Sequence, residues 1–446
     1  MGYLDVVQYL TSLAHHPQAV PFSFLFVALV GALFALNAHR PFARDGSLSI
    51  WVFFAGWLTT ELPIHHLAWQ LAATALFVSA GALRAWPGWV GLTIAAASWA
   101  GLWRMFRDAG GARGAVERAL VQAIGPAYAE RVDAALRARL DTPQPLAQLL
   151  LPFSMRRQDV ERIENVPYGP HGRRNQLDIY RARGGREGRP VLLQVHGGAW
   201  VIGDKSQQGL PLMIHMASLG WICVAINYRL SPRATFPDHL VDVKRALAWV
   251  KAHIAEHGGD PSFVVITGGS AGGHLCALAA LTPNDPEYQP GFEDADTAVQ
   301  ACVPFYGVYD FTNREGVGRR DMGAFLARVV FKHPISEAQE LLDRASPMSR
   351  VSDRAPPFLI IHGTHDTLVP VEQARLFVDL LRGASREPVA YAEIPGAQHA
   401  FEVFASARTG HVVRGVSRFL AYVHAAHVAA RPARTVAPQE ADAVVV

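Results

Sequence analysis

Cysteine is scarce: Cys223, Cys276 and Cys302 are the only three in 446 residues. Odd in number, scattered and set in apolar runs, they exclude a disulfide framework or a zinc-thiolate site and read as small core residues. Charge is missing from one end. Residues 1–103 carry six formal charges (Asp5, Arg40, Arg44, Asp45, Glu61, Arg84) that sum to zero, so the net +3 of the chain resides downstream. No Lys or Arg precedes the first apolar run and more apolar runs follow it, which excludes a simple secretory signal. The pairs His15/His16 and His65/His66 have no ligand-spaced carboxylate or cysteine beside them, so no metal is expected. Lysine is absent from 104 to 189, where sixteen Arg face ten acids without aromatic interleaving. That excludes a nucleic-acid surface and fits a solvated face or one beside anionic headgroups.

What is present comes in two parts. Uncharged apolar runs occupy 21–38, 67–83 and 86–103, close to the ~20 helical residues a bilayer core requires. A shorter run, 48–60, reads as a bent or re-entrant piece. Tryptophans 51, 57, 86, 89, 99 and 103 cluster near the segment ends, as interfacial belts do. Basic residues at 40 and 44 and again at 104–118 predict three spans, or four, with the downstream domain on the cytoplasmic face when there are three. The expected organisation is a transmembrane helical region over 1–103, amphipathic linker helices over 104–159, a catalytic domain over 160–430 and a disordered tail over 431–446.

From about 160, apolar strands alternate with amphipathic helices, predicting an α/β domain with a mostly parallel sheet covered on both faces. Strands are expected at 160–167, 176–181, 190–195, 221–227, 263–267, 300–306, 357–361 and 389–394. Three loops after strand ends carry chemistry. Gly268-Gly269-Ser270-Ala271-Gly272 fits G-x-S-x-G, where a strand turns sharply into a helix and side chains at Gly268 or Gly272 would clash. His196-Gly197-Gly198-Ala199-Trp200 leaves backbone N–H groups of Gly197 and Gly198 to join that of Ala271 around a developing oxyanion. Asp366 and His399 follow in the order serine, acid, histidine. His399 is the expected proton carrier for Ser270, and Asp366 the group that orients it. Asp310 and Glu402 are rivals for the acid; His362 and His365 are rivals for the base.

With those residues in place, 160–425 resembles the α/β-hydrolase fold and, within it, the hormone-sensitive-lipase-like esterases. The resemblance rests on the 196–200, 268–272, 366 and 399 segments and on Asn227-Tyr228-Arg229-Leu230-Ser231-Pro232. It implies hydrolysis of short- to medium-chain carboxylic esters through an acyl-enzyme, without metal or cofactor, on a small-molecule or lipid ester. Ala199 departs from the family's third glycine. Membrane lipids are the other expected partner. Arylformamidases, prenylcysteine methylesterases and non-catalytic receptors on the same fold are the alternatives.

Overall fold

The computed structural model describes residues 18–430 apart from 141, 185 and 186. The tail from 431 and the His15/His16 pair lie outside the described residues. Four apolar helices come first: α1 (Ala19–His39), α2 (Leu48–Glu61), α3 (Pro63–Ser79) and α4 (Trp86–Asp108). Their contacts use small residues. Ala28, Gly31 and Ala35 of α1 and Gly91, Ala95 and Ser98 of α4 are buried, while Phe26, Leu33, Leu36, Leu76, Trp86 and Trp89 point outward. Small residues at these contacts let the backbones approach closely and leave the bulky apolar side chains outward. Among the described helices, α1 alone is long and apolar enough to cross a membrane, by length and composition. The expected runs at 67–83 and 86–103 became a 17-residue helix and one whose last turns carry Arg104, Arg107 and Asp108.

The helix α5 (Gly111–Ile124), expected as part of a connection, packs into the core of the downstream domain. Ala112, Val116 and Leu120 join one apolar cluster with Phe419 and Leu420 of the long final helix, and Arg418 pairs with Glu117. Short helical stretches at Ala134–Leu140 and Leu146–Leu150 then lead to the sheet.

The sheet has eight strands in the order β1-β2-β4-β3-β5-β6-β7-β8: β1 (Val160–Pro167), β2 (Gln176–Ala182), β3 (Arg189–Val195), β4 (Ile222–Ile226), β5 (Gly259–Gly269), β6 (Ala301–Phe305), β7 (Phe358–Gly363) and β8 (Val389–Ile394). Only β1/β2 and β2/β4 pair antiparallel. The inner strands are apolar on both faces because both faces are covered: Val191, Leu193 and Val195 enter one cluster and Leu192 the other.

Register positions the site. Val195 pairs with Gly268, Gly269 with Phe305, Phe305 with Ile361 and Gly363 with Ile394. Five parallel strands therefore end level, and the loops after β3, β5, β7 and β8 meet at one carboxyl edge, where open parallel sheets collect functional groups.

Candidate active site

The strand β5 stops at Gly269, and α6 (Ala271–Leu281), the helix after it, begins at once. Ser270, half-buried, holds the corner at φ 59° and ψ −121°, a backbone state that L-residues rarely adopt and that costs of order 1–3 kcal/mol. The surroundings over-determine it. The Ser270 N–H donates to Phe305 O at 3.0 Å, and His274 N–H donates to Ser270 O at 2.9 Å. A Cβ on Gly272 would lie 2.2 Å from Val195 O, and one on Gly268 2.5 Å from Gly272 O. Both obstacles are backbone, which cannot move aside. The glycines admit the turn by close approach.

The loop after β3 passes beside this corner. A Cβ on Gly197 would meet Ser270 Cβ at 3.2 Å, so the two segments touch. Gly198, Ala199 and Trp200 all have positive φ (114°, 51° and 61°). Left-handed Ala199 and Trp200 are held by a polar network that crosses to α6. The Trp200 indole N–H donates to His274 Nδ1 at 3.2 Å, and His274 Nε2–H donates to Ala345 O at 2.8 Å. Burial keeps His274 neutral, its pKa lowered to about 4, which suits a ring that accepts on one nitrogen and donates from the other. His196 is likewise pushed down to about 4 by burial. It stacks on Tyr228 with ring centroids 4.4 Å apart, and Nδ1–H donates to Gly197 O at 2.7 Å. It shapes the loop.

One expected donor is otherwise engaged. The Gly197 N–H donates to Gln208 Oε1 at 2.7 Å. Gly197 thus contributes close approach while its N–H is occupied by Gln208 Oε1, unlike the expectation that it would point to a ligand. Gln208 carried no sequence signal; it lies eleven residues on in an irregular segment.

The acid and the base meet. His399, on the loop after β8, is 4% exposed, and its Nδ1–H donates to Asp366 Oδ2 at 2.7 Å. Asp366 Oδ1 accepts the N–H groups of Leu368 and Val369, each at 2.8 Å. Burial alone would push the Asp366 carboxyl up; the charge and hydrogen bonds of His399 and His362 outweigh it and hold the group well below the carboxylate range. Gln398, also unflagged by the sequence, clamps the two loops: its Oε1 accepts Thr367 N–H at 2.8 Å and His399 N–H at 2.9 Å.

The rivals sit elsewhere. Asp310 accepts from Thr312 and from Arg314 N–H, the pattern of a local turn. His362 is fully buried, with Nε2 held by Val369 O at 3.0 Å and 3.2 Å from Asp366 Oδ2. His365 sits on the acid loop itself, immediately before Asp366, with its backbone N–H donating to Ala397 O at 2.9 Å. Glu402 is near but separated from His399: it accepts the Tyr306 O–H, and the Tyr306 ring lies 4.5 Å from that of His399.

Glu402 has its own consequence for pH. Burial raises its pKa from 4.5 to about 7, against the opposing hydrogen bond from Tyr306. A raised folded pKa means the native state holds the proton more tightly than the unfolded chain does. The stability from this group is full below the unfolded value and is lost as pH rises through the folded one. Glu402→Gln is therefore expected to lose about 2–3 kcal/mol less than wild type between about pH 5 and about pH 7 in denaturant unfolding. Parallel pH profiles for the two proteins would remove Glu402 as the source.

The site therefore carries a serine on a strained strand–helix corner, a buried carboxylate–imidazole pair, and backbone donors alongside. A family model described as BD-FAE matches residues 177–381. The "Probable carboxylic ester hydrolase LipM" of Mycobacterium tuberculosis is 49% identical over 425 residues, covering 93% of this chain and 96% of that one. The chain belongs to the α/β-hydrolase carboxylic ester hydrolases. This carboxylic ester hydrolase is also 48% identical over 317 residues to "Esterase LipQ" of the same organism, covering 70% of this chain and 75% of the relative. The "Isoprenylcysteine alpha-carbonyl methylesterase ICME" of Arabidopsis thaliana is 30% identical, covering 51% of this chain and 54% of that one.

Proposed function

We propose that the ester is cleaved by Ser270, His399 and Asp366 through an acyl-enzyme, on short- to medium-chain acyl esters, by a protein attached to the membrane through its N-terminal helices. The observation that carries the catalytic part is the 2.7 Å contact from His399 Nδ1 to Asp366 Oδ2. It supports a proton on Nδ1, facing an ionised carboxylate, with Nε2 left for proton traffic. His399 takes the Ser270 proton as Oγ attacks the ester carbonyl and returns it to the departing alkoxide; water then repeats the sequence on the acyl-enzyme. Asp366 stays ionised and stabilises the imidazolium. The N–H groups of Gly198 and Ala271 receive the oxyanion. The first N–H of a helix has no partner within the helix, so that of Ala271 is available. That of Gly197 serves only on release from Gln208.

Attachment is supported by the length and composition of α1 and by the apolar exterior of the four helices. On this reading α1 is the helix that enters the membrane and the catalytic domain faces the cytoplasm. A second reading, cleavage of a prenylcysteine methyl ester, draws on the plant relative together with the apolar helices.

One probe pair tests nucleophile and side together. A membrane-permeant fluorophosphonate should label Ser270, located by peptide mapping, in intact cells, and an impermeant analogue only after the membrane is opened. Label on another residue would overturn the nucleophile, and impermeant label on intact cells the orientation. With purified protein, nitrophenyl esters should be turned over best between butyrate and octanoate. An optimum at palmitate, or preference for a farnesylcysteine methyl ester, would overturn the substrate class.

A further inference from the structure

The helix α2 lies along the loops that carry Asp366 and His399, and it is tied to them at both ends and in the middle. Before its first turn, Asp45 pairs with Arg320 at 3.0 Å and Gly46 O accepts from Arg319 at 3.3 Å. Ser49 O then accepts the hydroxyl of Thr367, the residue after the acid, at 3.3 Å. At the far end the buried Glu61 carboxylate pairs with Arg408 and accepts from Ser406 at 3.1 Å. Between these ties two aromatic side chains reach the base. Phe53, 5% exposed, presents its ring edge-on to the His399 imidazole with centroids 6.1 Å apart. Trp57 stacks on Phe53 at 5.2 Å, and its indole N–H donates to the carbonyl of Ala400 at 2.9 Å.

Ala400 is the residue after the base, and it is left-handed, at φ 55° and ψ 32°. A non-glycine residue there is disfavoured by roughly 1–2 kcal/mol, so the peptide following His399 needs an external hold. Trp57 provides one by hydrogen bond. Phe53 and Tyr306 provide the other by ring contact with the imidazole itself.

We propose that Trp57 and Phe53 are positioning residues for His399, so that the N-terminal helices complete the catalytic apparatus as well as attaching it. This rests on His399 being the base. Its effect should be sharpest where proton delivery matters most. A nitrophenolate leaves without protonation, whereas an ethoxide requires a proton from the imidazole as the bond breaks. Misplacement of the base by about 1 Å lowers rates by about 100-fold.

The test compares ethyl butyrate with nitrophenyl butyrate, which share an acyl-enzyme, on the full-length protein. Trp57→Phe keeps an aromatic ring on the side of Phe404 (centroids 4.7 Å apart in the wild type) and removes the N–H donor together with the indole's second ring. It should lower kcat/KM about 10-fold for the nitrophenyl ester and about 100-fold for the ethyl ester, with Tm within a few degrees. Trp51→Ala, on the exposed side of α2 at 73% exposure, should change neither ester. Equal losses on the two esters, or wild-type rates for both, would overturn the proposal while leaving the esterase reading intact. Should Trp57→Phe not fold, the same ratio is read in Phe53→Leu, where an unchanged ratio again overturns it. A wild type that hydrolyses neither ester and takes no fluorophosphonate would instead overturn the assignment of the base and nucleophile.

Discussion

Ser270→Ala is expected to lower ester turnover by about six orders of magnitude, leaving only the modest acceleration that substrate binding and backbone donors supply. The argument is positional. Ser270 occupies the one residue between β5 and α6, where its own N–H donates to Phe305 O and its carbonyl accepts from His274 N–H. Alanine has the same Cβ and suffers the same left-handed φ, so the corner should keep its shape and Tm should move by no more than a few degrees. Loss of rate without loss of fold is the result that assigns the oxygen. Residual turnover above about 1% of wild type, in protein purified away from host esterases, would place the nucleophile elsewhere.

Asp366→Asn is expected to lower kcat by about four orders of magnitude. The two oxygens of Asp366 have different partners: Oδ1 takes two backbone N–H groups, and Oδ2 takes His399. An asparagine must satisfy the backbone donors with its single carbonyl oxygen. Its NH₂ then faces His399 Nδ1, and a donor facing Nδ1 forces the ring proton onto Nε2, the nitrogen that has to accept the serine proton. The rate falls because the tautomer is inverted, with the packing intact. Asp310→Asn, whose carboxylate binds Thr312 and Arg314 among the described residues, should stay within a few-fold of wild type. A loss at Asp310 matching that at Asp366 would reverse the assignment.

The strand–serine–helix corner and the strand sequence were legible because each is written locally. A glycine-flanked serine between a strand and a helix is contained in five residues, and the apolar strands declare themselves by composition. The contact between Asp366 and His399 was foreshadowed by their place after strand ends. What could not be read depends on contacts distant in sequence. Nothing in an irregular segment marks Gln208 as the partner of Gly197 N–H. Gln398 is one more polar residue until its amide is seen between Thr367 and His399. The run 48–60 was visible as too short to span, but its register over the acid and base loops depends on Asp45, Ser49, Trp57 and Glu61 finding residues on loops from 319 to 408. The helix at 111–124 shows the same limit: its amphipathic pattern is plain, while the surface it covers is set by the sheet.

The ties of α2 also bear on the order of assembly. Trp57 and Ala400 are 343 positions apart, and Glu61 and Arg408 are 347 apart, in a chain of 446. Such closures carry a large entropy of loop formation and come late in folding. During synthesis the chain proceeds from its N-terminus, so α2 exists long before the loops it will hold. The serine corner can be made when residue 281 is out, but the support of its base awaits residues beyond 400. On the proposed assignment a growing polypeptide therefore carries Ser270 without its base for more than a hundred residues, and hydrolytic competence waits on residues beyond 400.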